Sequence, residues 1–412
     1  MELVGPVPRI FEGTEHSVKQ TSLSLDTVAA MDPTRFVSDR FGRVVTPPGR
    51  WSFPTFVPHA IPRTLSLDGP TVLALSEADS ALGRLAGAGR LLPDPHLLTR
   101  PYITREALAS SRIEGTQASL SDVYQAAAEG GSKEGSDVRE VENYIRAMDE
   151  GLAALESLPI SARLVRRIHA VLMDGVRGRE RTPGDFRRTP NWIGGADDRP
   201  ETATFVPPSV DEMNAALTDW ERFVNGDHQL PPLVACALLH YQFETIHPFL
   251  DGNGRLGRLL IVFFLVEQGR LPQPLLYVSP YFEARRSEYY DRLQAVREQG
   301  DVEGWLQFFL RAVAAQATDA IARAERLIDT RERYRRGLAG TRSRIGEVVD
   351  MMLITPVLTT GLVARRLDVS GQSALTYIRE LEGRGWLQEL SYTGPGGRHY
   401  WIATEIFALL NE

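Results

Sequence analysis

The stretch His247-Pro-Phe-Leu-Asp-Gly-Asn-Gly-Arg-Leu-Gly-Arg258 decides how this chain is read. Twelve positions hold one imidazole, one carboxylate, an Asn between two glycines, and two arginines three residues apart. The run LLIVFFLV (259–266) follows at once. It is too apolar to be exposed, so it reads as a buried helix whose first turn carries Gly254, Arg255 and Arg258. A helix N-terminus offers free N–H groups and a partial positive charge. Glycines on both sides of Asn253 let a ligand approach the backbone closely. Two guanidiniums one turn apart share one side of the helix. The combination is a cradle for a polyphosphate. Asp251 repels a bare polyanion but suits Mg²⁺ bridging phosphates. His247, at the mouth, is placed as a general base.

Other chemistries do not fit the spacing. A P-loop needs Lys, which this stretch lacks. An EF-hand starting at Asp251 needs Gly at its sixth position, where Leu256 stands. HExxH is absent, and His240 with His247 lacks both zinc-ligand spacing and a third partner. Taken singly, each residue has an ordinary structural reading: a His near a helix end, a Gly-Asn-Gly turn, a solvated pair of arginines. Crowded beside a helix that must be buried, they favour a ligand site.

The remaining composition narrows the setting. A net charge of −7 over 412 residues gives no general polyanion binder. The single Cys236 lies in apolar LVACALL, so it reads as a small core residue and no disulfide framework exists. This fits a reducing cytoplasm, which is the expected location. No secretory signal is visible at the N-terminus, and the longest apolar run is too short to span a bilayer.

Along the chain, residues 1–34 read as a poorly ordered arm, with Met31 an alternative start. Residues 43–64 are rich in Pro with aromatics between, which predicts an extended segment laid over a packed surface. Helical spacing begins at Leu67 and continues at about 103–115, 119–128, 137–155, 161–173, 209–225, 231–246, 254–268, 283–299 and 302–336. Between them, RRTPNWI and ATFVPP predict a β-hairpin flap at about 187–206. The Arg-rich 331–344 reads as an exposed helix end and a hinge. After it, three helices, capped at Thr359 or Thr360 and at Ser370, precede two strands joined by a Gly/Pro turn. That order predicts a small winged helix-turn-helix domain over 343–412.

The central stretch matches the Fic family motif HPFx(D/E)GNGRxxR at every specified position. The chain resembles that family from about residue 45 to its end. The resemblance implies a mainly α fold, with an N-terminal helical region over 35–155, a catalytic core with flap over 156–335 and the winged helix beyond. It implies transfer of AMP from ATP to a Ser, Thr or Tyr hydroxyl of a target protein, which can be the enzyme itself. By position, His247 would deprotonate the hydroxyl and Phe249 anchor the loop. Asp251 would hold Mg²⁺. Asn253, with the N–H groups of Gly252 and Gly254, would form an anion hole. Arg255 and Arg258 would grip the β- and γ-phosphates. Ser110-Ser-Arg-Ile-Glu114-Gly115 matches the family's (S/T)xxxE(G/N) inhibitory motif. It implies a carboxylate of Glu114 paired with Arg258, so that the enzyme restrains itself. An extended target segment would dock on the flap by main-chain hydrogen bonds.

Alternatives stay open at this level. They include a DNA-binding regulator whose core only senses nucleotide, removal of AMP by the same site, and transfer of UMP, phosphocholine or phosphate. Residues 341–412 carry 7 Arg and no Lys against 8 acidic residues, so the C-terminal module reads as a protein contact or homodimer surface as readily as a DNA binder. No membrane partner is expected.

Overall fold

The computed structural model describes residues 31–49, 51–91, 94–176, 182–194, 199–226, 228–340, 343–390 and 397–412. The hairpin β1 (Gly42–Val45) and β2 (Thr55–Pro58) comes first. Then follow α1 (Gly69–Leu91), α2 (His96–Ile113), α3 (Leu120–Glu129), α4 (Asp137–Leu155), α5 (Ala162–Leu172) and α6 (Val210–Asn225). The centre is α7 (Pro232–Ile246) and α8 (Asn253–Glu267), followed by α9 (Ser279–Ala284), α10 (Arg286–Gln299) and α11 (Val302–Gly337). The C-terminal part is α12 (Ile345–Ile354), β3 (Val357–Leu358), α13 (Thr360–Leu367), α14 (Gly371–Gly383), β4 (Gln388–Glu389), β5 (Trp401–Ile402) and α15 (Thr404–Asn411). The expected mainly α fold is what the chain adopts. No helix among the described residues is long and apolar enough to cross a membrane.

α7 and α8 are buried on all sides because both are apolar all round. Every residue from Leu233 to Ile246 is buried, and so is every one from Arg255 to Leu265. The other helices wrap this pair with one apolar face each. α2 is tied to α9 and α4 by Glu106, a buried carboxyl that accepts from Ser279 N at 3.0 Å and from Tyr144 Oη at 3.0 Å. Cys236 is buried, as expected.

Local signals explain most boundaries. Ser119, Ser136, Ser161, Thr359 and Ser370 each accept from a backbone N–H in the first turn of α3, α4, α5, α13 and α14. α2 starts at His96, well before the expected 103, and carries Pro101 inside it. Burial of Leu97 and Leu98 offsets the hydrogen bond that Pro101 cannot donate. The helix expected at 283–299 breaks at Arg285 (φ −128°, ψ 40°) into α9 and α10. α15 follows the last strand and was not anticipated.

Three other expectations change. The Pro-rich segment is not merely extended: β1 and β2 pair antiparallel, from Gly42 with Pro58 to Val45 with Thr55, leaving Pro47, Pro48 and Pro54 in the connection and Pro62 beyond it. The flap is reduced to one bridge, Ile193 with Phe205, and residues 195–198 lie outside the described residues. Of the stretch expected as a helix end and hinge (331–344), the part to Gly337 is helix, and residues 341–342 lie outside the described residues. α11 runs to Gly337, and its end is held by Arg331 Nε to Asp350 Oδ1 at 2.7 Å and by Tyr334 stacked on Trp386 at 4.3 Å. The arm expected at 1–34 lies outside the described residues up to residue 30. Met31 is buried with Phe56, Phe205 and Val206.

In the C-terminal part the strands form one antiparallel sheet in the order β3-β5-β4, with Val357 opposite Ile402 and Glu389 opposite Trp401. The turn expected to join β4 and β5 falls partly on residues 391–396, outside the described residues. This part packs on α2 and α3 through α12, β3 and α15.

Candidate active site

α7 ends on His247, which adopts a left-handed conformation (φ 49°, ψ 62°) and donates its N–H to Phe243 O. Such a residue is normally Gly or Asn at a helix C-cap, so a His here is held by its surroundings. The holding groups are visible. The His247 carbonyl accepts from Arg187 Nε at 3.0 Å and Asn191 Nδ2 at 3.1 Å. Arg187 is fully buried and also donates to Pro208 O at 2.5 Å. Nδ1 of His247 lies 3.3 Å from Glu244 O. A carbonyl only accepts, so Nδ1 carries the proton and Nε2 is the lone-pair nitrogen. Burial, with Arg187 nearby, pushes the imidazole pKa down to about 3, so the ring is neutral at pH 7.

The loop after His247 is fastened from inside. Asn253 Oδ1 accepts from Phe249 N at 2.9 Å, and Asn253 Nδ2 donates to Phe249 O at 2.9 Å. The side chain expected to face an anion therefore closes the loop, and the anion-facing groups left are backbone N–H groups at the start of α8. Phe249 is buried, as its expected anchoring role requires, and stacks on His169 at 3.7 Å. His169 receives the Gly184 N–H at Nδ1 (2.8 Å), so its Nε2–H donates to Asp251 O at 2.9 Å. Gly252 is left-handed (φ 76°), and a Cβ there would come 2.9 Å from Met173 Sδ. Asp251 is partly exposed at the tip, 3.7 Å from Arg255.

Both arginines project inward from α8. Arg255 meets Glu140 of α4 at 3.4 Å, and Glu140 also accepts from Thr116 Oγ1 at 2.7 Å. Arg258 is 1% exposed. It donates from Nε to Ser110 Oγ (2.8 Å) and from Nη2 to Ser110 O (2.9 Å) and Glu114 Oε1 (2.7 Å). Burial opposes the charge on both partners. The mutual charge wins: Glu114 stays below and Arg258 above its ordinary pKa. Glu114 reaches this spot because Gly254 has no side chain; a Cβ there would stand 2.2 Å from Glu114 Oε1.

Thus the structure gathers Ser110, Glu114, His247, Asp251, Gly252, Asn253, Gly254, Arg255 and Arg258 around one helix start. Sequence reasoning missed His169, Arg187, Asn191, Glu140 and Glu244. Glu244 is buried beside Gly257, its Oε1 has no hydrogen-bond partner among the described residues, and burial raises its pKa to about 7. A Glu in the otherwise apolar PLVACALLHYQFETI, and a His on the apolar face of ARLVRRIHAVL, were the available signals.

A loop of this geometry on an α-helical frame is a Fic-type site, and sequence comparison agrees. Residues 72–153 match the Fic/DOC family N-terminal domain and residues 159–265 the Fic/DOC family domain. Residues 72–265 thus resemble the Fic/DOC family. Protein adenylyltransferase Fic of Drosophila erecta is 31% identical over 159 residues, which is 36% of this chain and 29% of that protein. The Drosophila virilis protein of the same name is 28% identical over 253 residues, 59% of this chain and 47% of its own. The chain thus spans less than half the length of these relatives. A solved Fic family protein from Desulfovibrio desulfuricans G20 superposes with a TM-score of 0.54 at 22% identity, covering 82% of this chain and 97% of its own. That likeness bears on the fold.

Proposed function

We propose that this chain transfers AMP from ATP to a hydroxyl side chain of a protein, and that Glu114 restrains the reaction. One observation carries the reading: a neutral imidazole and two inward arginines converge on a helix start, with a carboxylate occupying one of the arginines. His247 Nε2 takes the proton of the target Ser, Thr or Tyr hydroxyl. The oxygen attacks the α-phosphorus in line, forms the new P–O bond, and pyrophosphate leaves with its bonding electrons. Phosphate charge arriving beside His247 raises its basicity from the low value of the empty site. The first N–H groups of α8 receive phosphate oxygens, Arg255 the β-phosphate and Arg258 the γ-phosphate.

Asp251 fits Mg²⁺, because that ion takes one or two carboxylates and completes its shell with phosphate oxygens and water. When bound, Mg²⁺ neutralises charge on the phosphates.

Glu114 restrains transfer by holding Arg258. A γ-phosphate must displace the carboxylate or settle elsewhere, and a misplaced α-phosphorus is not attacked. For the C-terminal module we favour a protein contact over DNA. The helix α14 that would enter a groove has Arg379 tied to Glu382 and Glu389, and Arg384 tied to Glu380. With Arg379 and Arg384 paired to acids, α14 itself offers little of the basic face that phosphates demand.

The test is incubation with Mg²⁺ and ATP labelled at the α- or the γ-phosphate, for wild type, Glu114→Gly, His247→Ala and the double variant. The reading expects α-label on protein in Glu114→Gly, little in wild type and none without His247. Label from the γ-position alone would establish phosphoryl transfer instead, and no label from any variant would leave a nucleotide sensor or a remover of AMP.

A further inference from the structure

A cavity of about 550 Å³, lined by none of the loop residues, lies in the seam between the N-terminal helices and the C-terminal module. α2 contributes Arg100 and Thr104, α3 Tyr124, α4 Arg139 and Arg146, and α13 Arg366. The volume is that of a small-molecule site, and such sites favour junctions between structural units.

The wall has an excess of positive charge. Arg100 meets Asp149 at 2.9 Å, while Arg139 and Arg146 share Asp174 at 3.1 and 2.9 Å. Three arginines thus divide two carboxylates. Glu142, the other acid in the wall, is engaged by Ser132. Arg366 is exposed and has no ion-pair partner among the described residues. Tyr124 and Thr104 add hydroxyls side by side. Guanidiniums fanned around a pocket with hydroxyls suit phosphate or carboxylate oxygens.

The same two helices reach the loop with their other faces. α2 shows Arg100 and Thr104 to the cavity and puts Ser110 and Glu114 on Arg258. α4 shows Arg139 and Arg146 to the cavity and puts Glu140 on Arg255. The geometry points to a second binding site here, for a small molecule bearing phosphate or carboxylate groups, whose occupation shifts α2 and α4 and so changes the grip on Arg258 and Arg255. Anion binding does not rest on the nucleotidyl-transfer reading; the effect on restraint does.

The experiment is calorimetric titration of the full chain with inorganic phosphate and, separately, citrate, at low salt. Wild type, Arg366→Ser, Arg146→Ser and Arg258→Ala are compared. Saturable binding in wild type, weakened at least tenfold by Arg366→Ser and Arg146→Ser and retained, with a smaller shift, in Arg258→Ala, supports the site. Arg366 is exposed, so its loss leaves folding intact even if Arg146→Ser does not. Binding of phosphate alone marks a phosphorylated ligand, and of citrate alone a polycarboxylate. No saturable heat from either probe, or loss through Arg258→Ala instead, overturns the site. Amide exchange over residues 106–116 then tests the coupling: it changes on saturation of wild type, and unchanged exchange despite binding overturns that part.

Discussion

Arg258 Nη2 lies 2.7 Å from Glu114 Oε1, at the end of a guanidinium that is 1% exposed, while the carboxylate side chain is one-third exposed. The pair therefore has one partner that can leave toward solvent and one that cannot. Replacing Glu114 by Gly removes the mobile half. The expected result is higher AMP transfer together with lower stability, by about 1–3 kcal/mol, discounted from the value for a fully buried pair because Glu114 touches water. Labelled transfer and a urea titration of the same preparation measure both; unchanged transfer sinks the restraint.

Glu114→Gln gives a pH signature of the same contact. The Glu114 carboxyl is depressed in the folded chain. Its contribution is present above the ordinary Glu pKa and lost as pH falls through the folded value. The Tm gap between wild type and Glu114→Gln should therefore be constant from pH 8 to 6 and shrink below about pH 4. A gap that is independent of pH would show that the charge of Glu114 does not stabilise the fold.

His169→Phe keeps the stack on Phe249 and removes both hydrogen bonds to the loop. In a Glu114→Gly background, transfer should drop roughly 100-fold through kcat, because an ångström of misplacement at the reacting group costs about that much. KM for ATP should move less than threefold. A matching rise in KM with kcat unchanged would make His169 a binding residue and not a positioning one.

Three buried histidines should make the protein acid-sensitive. Burial lowers His169 to about 4, and His240 and His247 to about 3. The unfolded chain takes up protons on them near pH 6.5 and the folded chain does not, so stability falls as pH drops below 6.5. Glu244, raised to about 7, acts in the opposite direction over about pH 4.5–7, and burial likewise raises Glu106, Asp79, Glu267 and Glu283, which offset part of the histidine effect. Tm should fall by roughly 5 °C between pH 7 and pH 5. A level or rising Tm over that interval would place the histidines in contact with water.

Much of this site was legible because its residues are local. His247 through Arg258 are consecutive, and helix geometry alone turns Arg255 and Arg258 to one side. Glu114 was legible only through the family's motif, since 144 residues separate it from Arg258. What fastens the loop was not legible. Arg187 and His169 act on backbone carbonyls, and any donor of the right reach would leave the same trace in sequence. Asn253 was misread for the same reason: a turn amide can face a ligand or its own backbone, and only coordinates tell which. In the fold, α2 was read too short at its start, where the chain is helical from His96, and α15 was missed because it is a single short stretch behind a strand.

The order in which the chain is made gives α11 another meaning. A ribosome releases α2 and then the complete loop and α8 by residue 267. The surfaces that back α2 come later: Ala320, which receives the Tyr102 hydroxyl at 2.6 Å, then α12 and α15. A nascent chain thus carries the loop residues before the groups that back α2 exist. On the reading proposed above, the contact of Glu114 with Arg258 would be completed late in synthesis, and a chain cut short before α12 would lose part of what backs α2.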